Sequence, residues 1–196
     1  MTRARLGRKR QVREWFVPLS CGHRTLRETS ASLRKIGLRQ SDVPYMVRLV
    51  ENPDLDLPLV DVFHGATRLR THDYIHIILG RGLLPKDEAF VIGFTMGSTG
   101  KVSTTEEFLY GLFAKYLYPR QYRFSDDDLR VFKDAVRLGF ISECRSLHDA
   151  DYSRYLNLPL RKIRRALGIE SGLLRSYYAI EKRRYPDAYE CQRLLD

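Results

Sequence analysis

The sequence predicts an all-α fold, a single-domain bundle of about seven or eight helices. Three observations carry this. Apolar residues recur at steps of three and four along most of the chain, capping-box pairs stand before several of those stretches, and β-alternation and hairpin turns are missing. At 196 residues the chain is long enough for one domain, and such a domain buries about 70% of the surface its unfolded chain exposes. A composition 43% hydrophobic and 30% charged is that of a globular soluble protein. No uninterrupted apolar run reaches the roughly 18 residues a membrane-spanning helix needs.

Residues 1–24 read as a basic, flexible N-terminal segment, with 25–196 as a single helical domain. Arg3, Arg5, Arg8, Lys9, Arg10 and Arg13 precede the first acid, Glu14, and Pro18 and Gly22 break any helix. The arginine-rich, acid-poor stretch has the composition of a transit peptide and lacks the apolar core of a secretory signal. Thr25 with Glu28 is a capping box, and Gly37 closes the helix it starts. Ser41 or Asp42 caps a second helix, carrying Tyr45, Met46, Leu49 and Val50, that ends before Asn52-Pro53. From Pro58, the helical steps Leu59, Val62, Ala66 and Leu69 continue to Asp73 and His76, with Gly65 as the one interruption.

The breaker cluster Leu79-Gly80-Arg81-Gly82-Leu83-Leu84-Pro85 should end that helix and start another. Pro85, Asp87 and Glu88 suit a first helical turn, where proline fits and acids meet the positive end of the macrodipole. Ala89, Phe90, Ile92 and Phe94 continue the new helix toward Gly97 and Gly100. Ser103, Thr104, Glu106 and Glu107 form two overlapping capping boxes. The stripe behind them, Phe108, Leu109, Leu112, Phe113 and Tyr116, reads first as core packing and second as a prenyl groove, and Tyr118-Pro119 ends it. Ser125 and Asp128 cap a helix bearing Val131, Phe132, Ala135, Val136 and Phe140. Across 157–168, Leu160, Ile163 and Leu167 occupy one side and Arg161, Lys162, Arg164 and Arg165 the other, with Gly168 as the C-terminal cap.

The net charge of +10 favours anionic partners: a phospholipid surface, nucleic acid or a phosphorylated substrate. Besides the N-terminal cluster and 161–165, Lys182, Arg183 and Arg184 form a third basic group. Trp15 and Phe16 follow the first, and Tyr177, Tyr178 and Tyr185 flank the third, a pattern that suits a membrane interface and nucleic-acid stacking alike. A merely solvated basic surface remains open beside both. Cys21, Cys144 and Cys191 are odd in number, far apart and without a CxxC pair, which reads as reduced cysteines of an intracellular protein.

The chemistry-bearing stretch is His72-Asp73-Tyr74-Ile75-His76, with Glu88 twelve residues on. Helix positions four apart share a face, so the two histidines can aim at one ion, and a fold-back at the breaker cluster would return Glu88 to their level. His, Asp and Glu are ligand types that zinc and similar divalent ions accept. Ionisable groups on an apolar stripe need partners, because burying them alone is costly. Spacing by itself leaves open the plainer reading of hydrogen-bonded helix histidines, with Asp73 paired to an arginine such as Arg70. The His-Glu-x-x-His protease pattern is not met. His23, His64 and His148 read as packing or surface residues, and Ser146, Asp149 and Asp151 as a polar turn. Gly80-Arg81-Gly82 lacks the strand a phosphate loop requires, and no Gly-x-Ser-x-Gly elbow occurs.

His72-Asp73-x-x-His76 with eleven residues before Glu88, followed by Ile77-Ile78-Leu79-Gly80, resembles the signature of the coenzyme Q biosynthesis protein 4 family. Leu160, Arg161, Ile163, Arg164, Leu167, Gly168 and Ile169 are similar to that family's closing Leu-Arg-x-x-Leu-Gly-Ile element, so the likeness runs from about Val43 to Ile169. The resemblance implies an all-helical, metal-binding domain whose divalent ion, commonly zinc, is held by His72, Asp73, His76 and Glu88. It implies a role in ubiquinone biosynthesis, organising the other pathway enzymes and replacing the ring carboxyl of a polyprenyl hydroxybenzoate by hydroxyl. The partners expected are a polyprenyl or quinone lipid, an anionic membrane surface, the other pathway proteins and a second copy of the chain. The expected location is cytoplasmic and peripheral to the inner membrane, on the matrix side in a mitochondrion. Two other classes compete. One is a His-Asp-type phosphohydrolase using His64, His72, Asp73 and a distant Asp149; the other is a basic nucleic-acid-binding helical protein without metal.

Overall fold

Helix ends, several of them closed by identifiable hydrogen bonds, set the layout of the computed structural model, which describes residues 10–36, 69–101 and 123–196. In chain order the helices are α1 (Leu26–Lys35), α2 (Leu69–Leu79), α3 (Pro85–Gly97), α4 (Asp126–Ile141), α5 (Leu160–Ala166), α6 (Ser171–Arg184) and α7 (Tyr189–Gln192). Residues 10–14 are also helical, and 3-10 turns occur at Leu19–Cys21 and Tyr152–Tyr155. Among the described residues there is no strand, only an isolated antiparallel bridge between Thr25 and Pro159. The fold is all-α.

The capping boxes read from sequence form. The Glu28 N–H donates to Thr25 Oγ1 at 3.2 Å while the Thr25 N–H donates to Glu28 Oε2 at 2.9 Å. Ser125 and Asp128 repeat the exchange at the start of α4. Gly168 adopts φ +73° just past α5, and the Gly168 and Ile169 N–H groups donate to the Arg165 and Arg164 carbonyls. These are the paired bonds of a glycine-terminated helix.

The end of α2 is satisfied completely, and it is where distant parts of the chain converge. A helix leaves its last four carbonyls without intrahelical donors. Here Gly80, at φ +72°, allows the Gly80 and Arg81 N–H groups to reach the Ile77 and His76 carbonyls. Arg164 Nε of α5 donates to the Ile78 carbonyl at 2.7 Å, and the Tyr178 hydroxyl of α6 to the Leu79 carbonyl at 2.6 Å. The chain then restarts as α3 with Pro85 in its first turn.

Helices α3 and α4 pack backbone to backbone. A Cβ on Gly93 would collide with the Phe132 carbonyl, one on Gly97 with the Val136 carbonyl, and one on Gly139 with the Phe94 carbonyl. Around this pair lies one core containing Leu26, Ile75, Ile77, Phe90, Phe94, Phe132, Leu160 and Tyr178.

Four expectations are corrected by the packing. Residues 10–24 do not behave as a loose segment: Trp15, Val17 and Leu19 are core residues, and the Gly22 and Arg24 carbonyls accept from the Arg161 and Leu160 N–H groups. Pro18 and Gly22 stop a helix there without stopping burial. Arg164 is not on a solvated basic face but is 3% exposed. Tyr177, Tyr178 and Tyr185 are buried, so they are core rather than interfacial aromatics, and Phe140 points to solvent at 60% exposure. Gly37, the helix of Tyr45 to Val50, the Leu59, Val62, Ala66 stripe with His64, the Ser103 to Glu107 boxes and the 108–116 stripe lie outside the described residues. The cysteines Cys21, Cys144 and Cys191 are all free thiols.

Candidate metal centre

Helix α2 presents His72 and His76 one turn apart, and their rings stack with centroids 4.7 Å apart and planes 16° from parallel. The Gly80 turn folds α3 back along α2, so that Glu88, in the first turn of α3, reaches both. Glu88 Oε2 lies 3.3 Å from His72 Nε2 and 3.3 Å from His76 Nε2. The His76 side chain is 2% exposed, that of His72 14% and that of Glu88 32%, so the cluster is sunk in the protein with an opening on the Glu88 side.

The tautomer of His76 follows from its other nitrogen. Nδ1 is 2.6 Å from the Gly82 carbonyl oxygen, which can only accept, so Nδ1 carries the hydrogen. In the neutral ring Nε2 then offers a lone pair toward the Glu88 carboxylate, and two lone pairs face each other unless a proton or a cation stands between them. Burial works to raise the Glu88 carboxyl, but the charges and hydrogen bonds of His76 and His72 outweigh it and hold the group well below the usual carboxylate range.

The residues present fit a divalent ion. Among the described residues, His72, His76 and Glu88 are the group whose ligand atoms all lie within 4.8 Å of one another. Two nitrogens and a carboxylate oxygen bound at about 2.0–2.2 Å in a tetrahedron stand about 3.3–3.5 Å apart; the two separations to Glu88 are 3.3 Å, and all three donors lie within 4.8 Å of one another. A two-histidine, one-carboxylate set leaves a further position for water or substrate.

Asp73 does not join this set. Successive helix residues are turned by about 100°, whereas His72 and His76 differ by only about 40°, so Asp73 projects to one side of the shared face. Burial raises its carboxyl, against the opposing charges of His72 and His76. Of the four residues that the resemblance implies as ligands, three therefore bring their donor atoms together, and Asp73 lies beside them. Asp149 pairs instead with His148, Oδ1 to Nε2 at 2.9 Å, and Ser146 Oγ lies 2.8 Å from His148 Nδ1.

A second cluster, missed by sequence reasoning, adjoins the first. Arg81 is fully buried and makes a two-pronged pair with Glu181, at 2.8 and 2.6 Å, while its guanidinium stacks on Phe90 and Tyr178. Arg193 Nη2 donates to Asp87 Oδ2 at 2.7 Å, and Asp87 also accepts the Leu84 N–H. Cys191 donates its thiol hydrogen to Glu181. Burial opposes the Arg81 charge, and Glu181 with Asp87 more than offsets it, keeping the guanidinium firmly protonated. Isolated buried charges are costly, so these four hold each other. The sequence signal was present at Glu181, which falls in helical step with Leu174, Tyr177 and Tyr178.

No protein-family model, curated protein or solved structure matches the chain.

Proposed function

We propose that the chain is a divalent-metal protein of ubiquinone biosynthesis that acts on, or presents, a polyprenyl hydroxybenzoate whose ring carboxyl is exchanged for hydroxyl. The observation that carries the reading is the convergence of Glu88 on His72 and His76 at 3.3 Å each, from a motif whose spacing resembles the family signature. His72, His76 and Glu88 would hold the ion, zinc being the first candidate. When bound, such an ion supplies Lewis-acid polarisation of a substrate oxygen.

The chain's own residues do the rest. The Gly82 carbonyl fixes the His76 ring so that Nε2 faces Glu88. Ile75, Ile77 and Ile78 of the same helix are buried and anchor α2 in the core. No helix among the described residues is long and apolar enough to cross a membrane. The reading puts contact with the prenyl lipid in a peripheral docking mode, supported by the exposed Arg161, Lys162 and Arg165 of α5, which suit anionic headgroups. Organising the other pathway proteins and self-association belong to the same reading.

Quinone content of the native host tests it. Loss of the gene lowers ubiquinone and accumulates a carboxylated prenyl phenol; the wild-type chain restores the quinone and His76→Ala does not. Unchanged quinone in the deletion would overturn the assignment.

A further inference from the structure

We infer that Arg193 and Glu181, contributed by α7's C-terminal flank and by α6, are positioning residues for the metal centre, acting through the turn 80–87. This rests on the metal reading above. Three connections make the case. His76 takes its ring orientation from the Gly82 carbonyl, and Gly82 lies in the turn itself. A Cβ added to Gly82 would collide with Arg193 Nη2 and stand 2.8 Å from Asp87 Oδ2, so the guanidinium and carboxylate are seated directly on that glycine. Asp87 immediately precedes Glu88, and its Oδ2 is held by Arg193 at 2.7 Å and by the Leu84 N–H, with Arg81 at 3.9 Å from Oδ1.

The anchors behind these contacts are held by several partners each. Arg193 Nη1 donates to the Arg13 carbonyl at 2.9 Å and its guanidinium stacks on Phe16 and Tyr189. Arg81, in the turn, is clamped by Glu181, whose side chain is fully buried. One end of the turn thus sets the His76 ring and the other sets Glu88, and residues more than ninety positions on in sequence hold both ends. Partners of this kind that orient metal ligands change affinity by about 10- to 100-fold when removed.

The test uses the full chain loaded with Co(II), whose visible absorption reports ligand geometry, together with zinc affinity from chelator competition. The variants are Arg193→Ala, Arg193→Lys and Glu181→Gln, with Arg184→Ala as a control, because Arg184 pairs with Asp134 away from the turn. Circular dichroism and thermal melting establish that each variant is folded. The inference predicts an altered Co(II) spectrum and roughly tenfold or greater loss of zinc affinity in Arg193→Ala, with partial recovery in Arg193→Lys and no change in Arg184→Ala. A folded Arg193→Ala and a folded Glu181→Gln with wild-type spectrum and affinity would overturn the positioning role while leaving the metal reading intact. If folded wild type takes up neither ion, the metal reading falls and this inference falls with it. Should Arg193→Ala not fold, Arg193→Lys decides: its charge survives, but a single ammonium cannot span Asp87 and the Arg13 carbonyl, so unchanged affinity there counts against the inference.

Discussion

Arg164 Nε donates to the Ile78 carbonyl at 2.7 Å, so a cation from α5 closes the end of the helix that carries both histidines. Its Nη1 also donates to the Leu19 carbonyl at 3.0 Å, tying in the N-terminal segment. Placing a cation at a helix C-terminus suits the macrodipole. Burial nevertheless pushes the guanidinium down to about 10, so removing the charge returns part of a desolvation cost.

Arg164→Met decides which effect is larger. Two buried carbonyls lose their donors, at about 1–3 kcal/mol each, and the relieved charge offsets a fraction of that. The expected outcome in urea unfolding is a net loss of about 1–3 kcal/mol, against less than about 0.5 kcal/mol for the exposed Arg165→Met. Equal effects of the two substitutions would contradict the capping role.

Gly93 and Gly172 both lie in helices but differ in what surrounds them. Alanine at Gly93 forces its methyl against the Phe132 carbonyl, whereas a Cβ at Gly172 meets nothing within 4 Å. Gly93→Ala should therefore destabilise by about 1–3 kcal/mol through overpacking between α3 and α4. Gly172→Ala should stabilise by about 0.5–1 kcal/mol, through helix propensity and the lower entropy of the unfolded chain. Thermal melts of the two variants, read side by side, check both signs.

The capping box of α1 gives a pH signature. Hydrogen bonds from the Thr25 backbone and side chain lower the Glu28 carboxyl from its ordinary 4.5. A group with a depressed folded pKa contributes stability above its unfolded value and loses it as pH falls through the folded one. The melting-temperature gap between wild type and Glu28→Gln should thus be constant above about pH 6 and shrink toward about pH 3. A gap unchanged across that interval would show that the carboxylate charge plays no part in the cap.

Local chemistry was legible in the sequence, and long-range pairing was not. Thr25 with Glu28, Ser125 with Asp128, Gly80, Pro85 and Gly168 mark helix ends because each solves a backbone problem within four residues of itself. His72, His76 and Glu88 were legible for the same reason: one helix turn and one tight reversal separate them. Asp73 stands outside the cluster of donor atoms, since adjacency in sequence is not adjacency around a helix. Arg164 and Glu181 were missed because a charge is assigned to solvent by default. Both nevertheless occupy apolar-stripe positions, Arg164 in step with Leu160, Ile163 and Leu167, and Glu181 in step with Leu174, Tyr177 and Tyr178. Their partners, Ile78, Leu19 and Arg81, lie 86, 145 and 100 positions away, beyond any periodicity. Trp15 and Val17 show the converse, that a helix-breaking stretch can still be core.

Metal content per chain tests the central claim most directly. Wild type, His76→Ala, Glu88→Ala and Asp73→Asn are purified, dialysed against zinc, freed of excess and assayed by elemental analysis, with circular dichroism to establish folding. The three-donor centre predicts a stoichiometric ion in wild type and in Asp73→Asn, and its loss from both His76→Ala and Glu88→Ala. Folded wild type that retains no metal would contradict it.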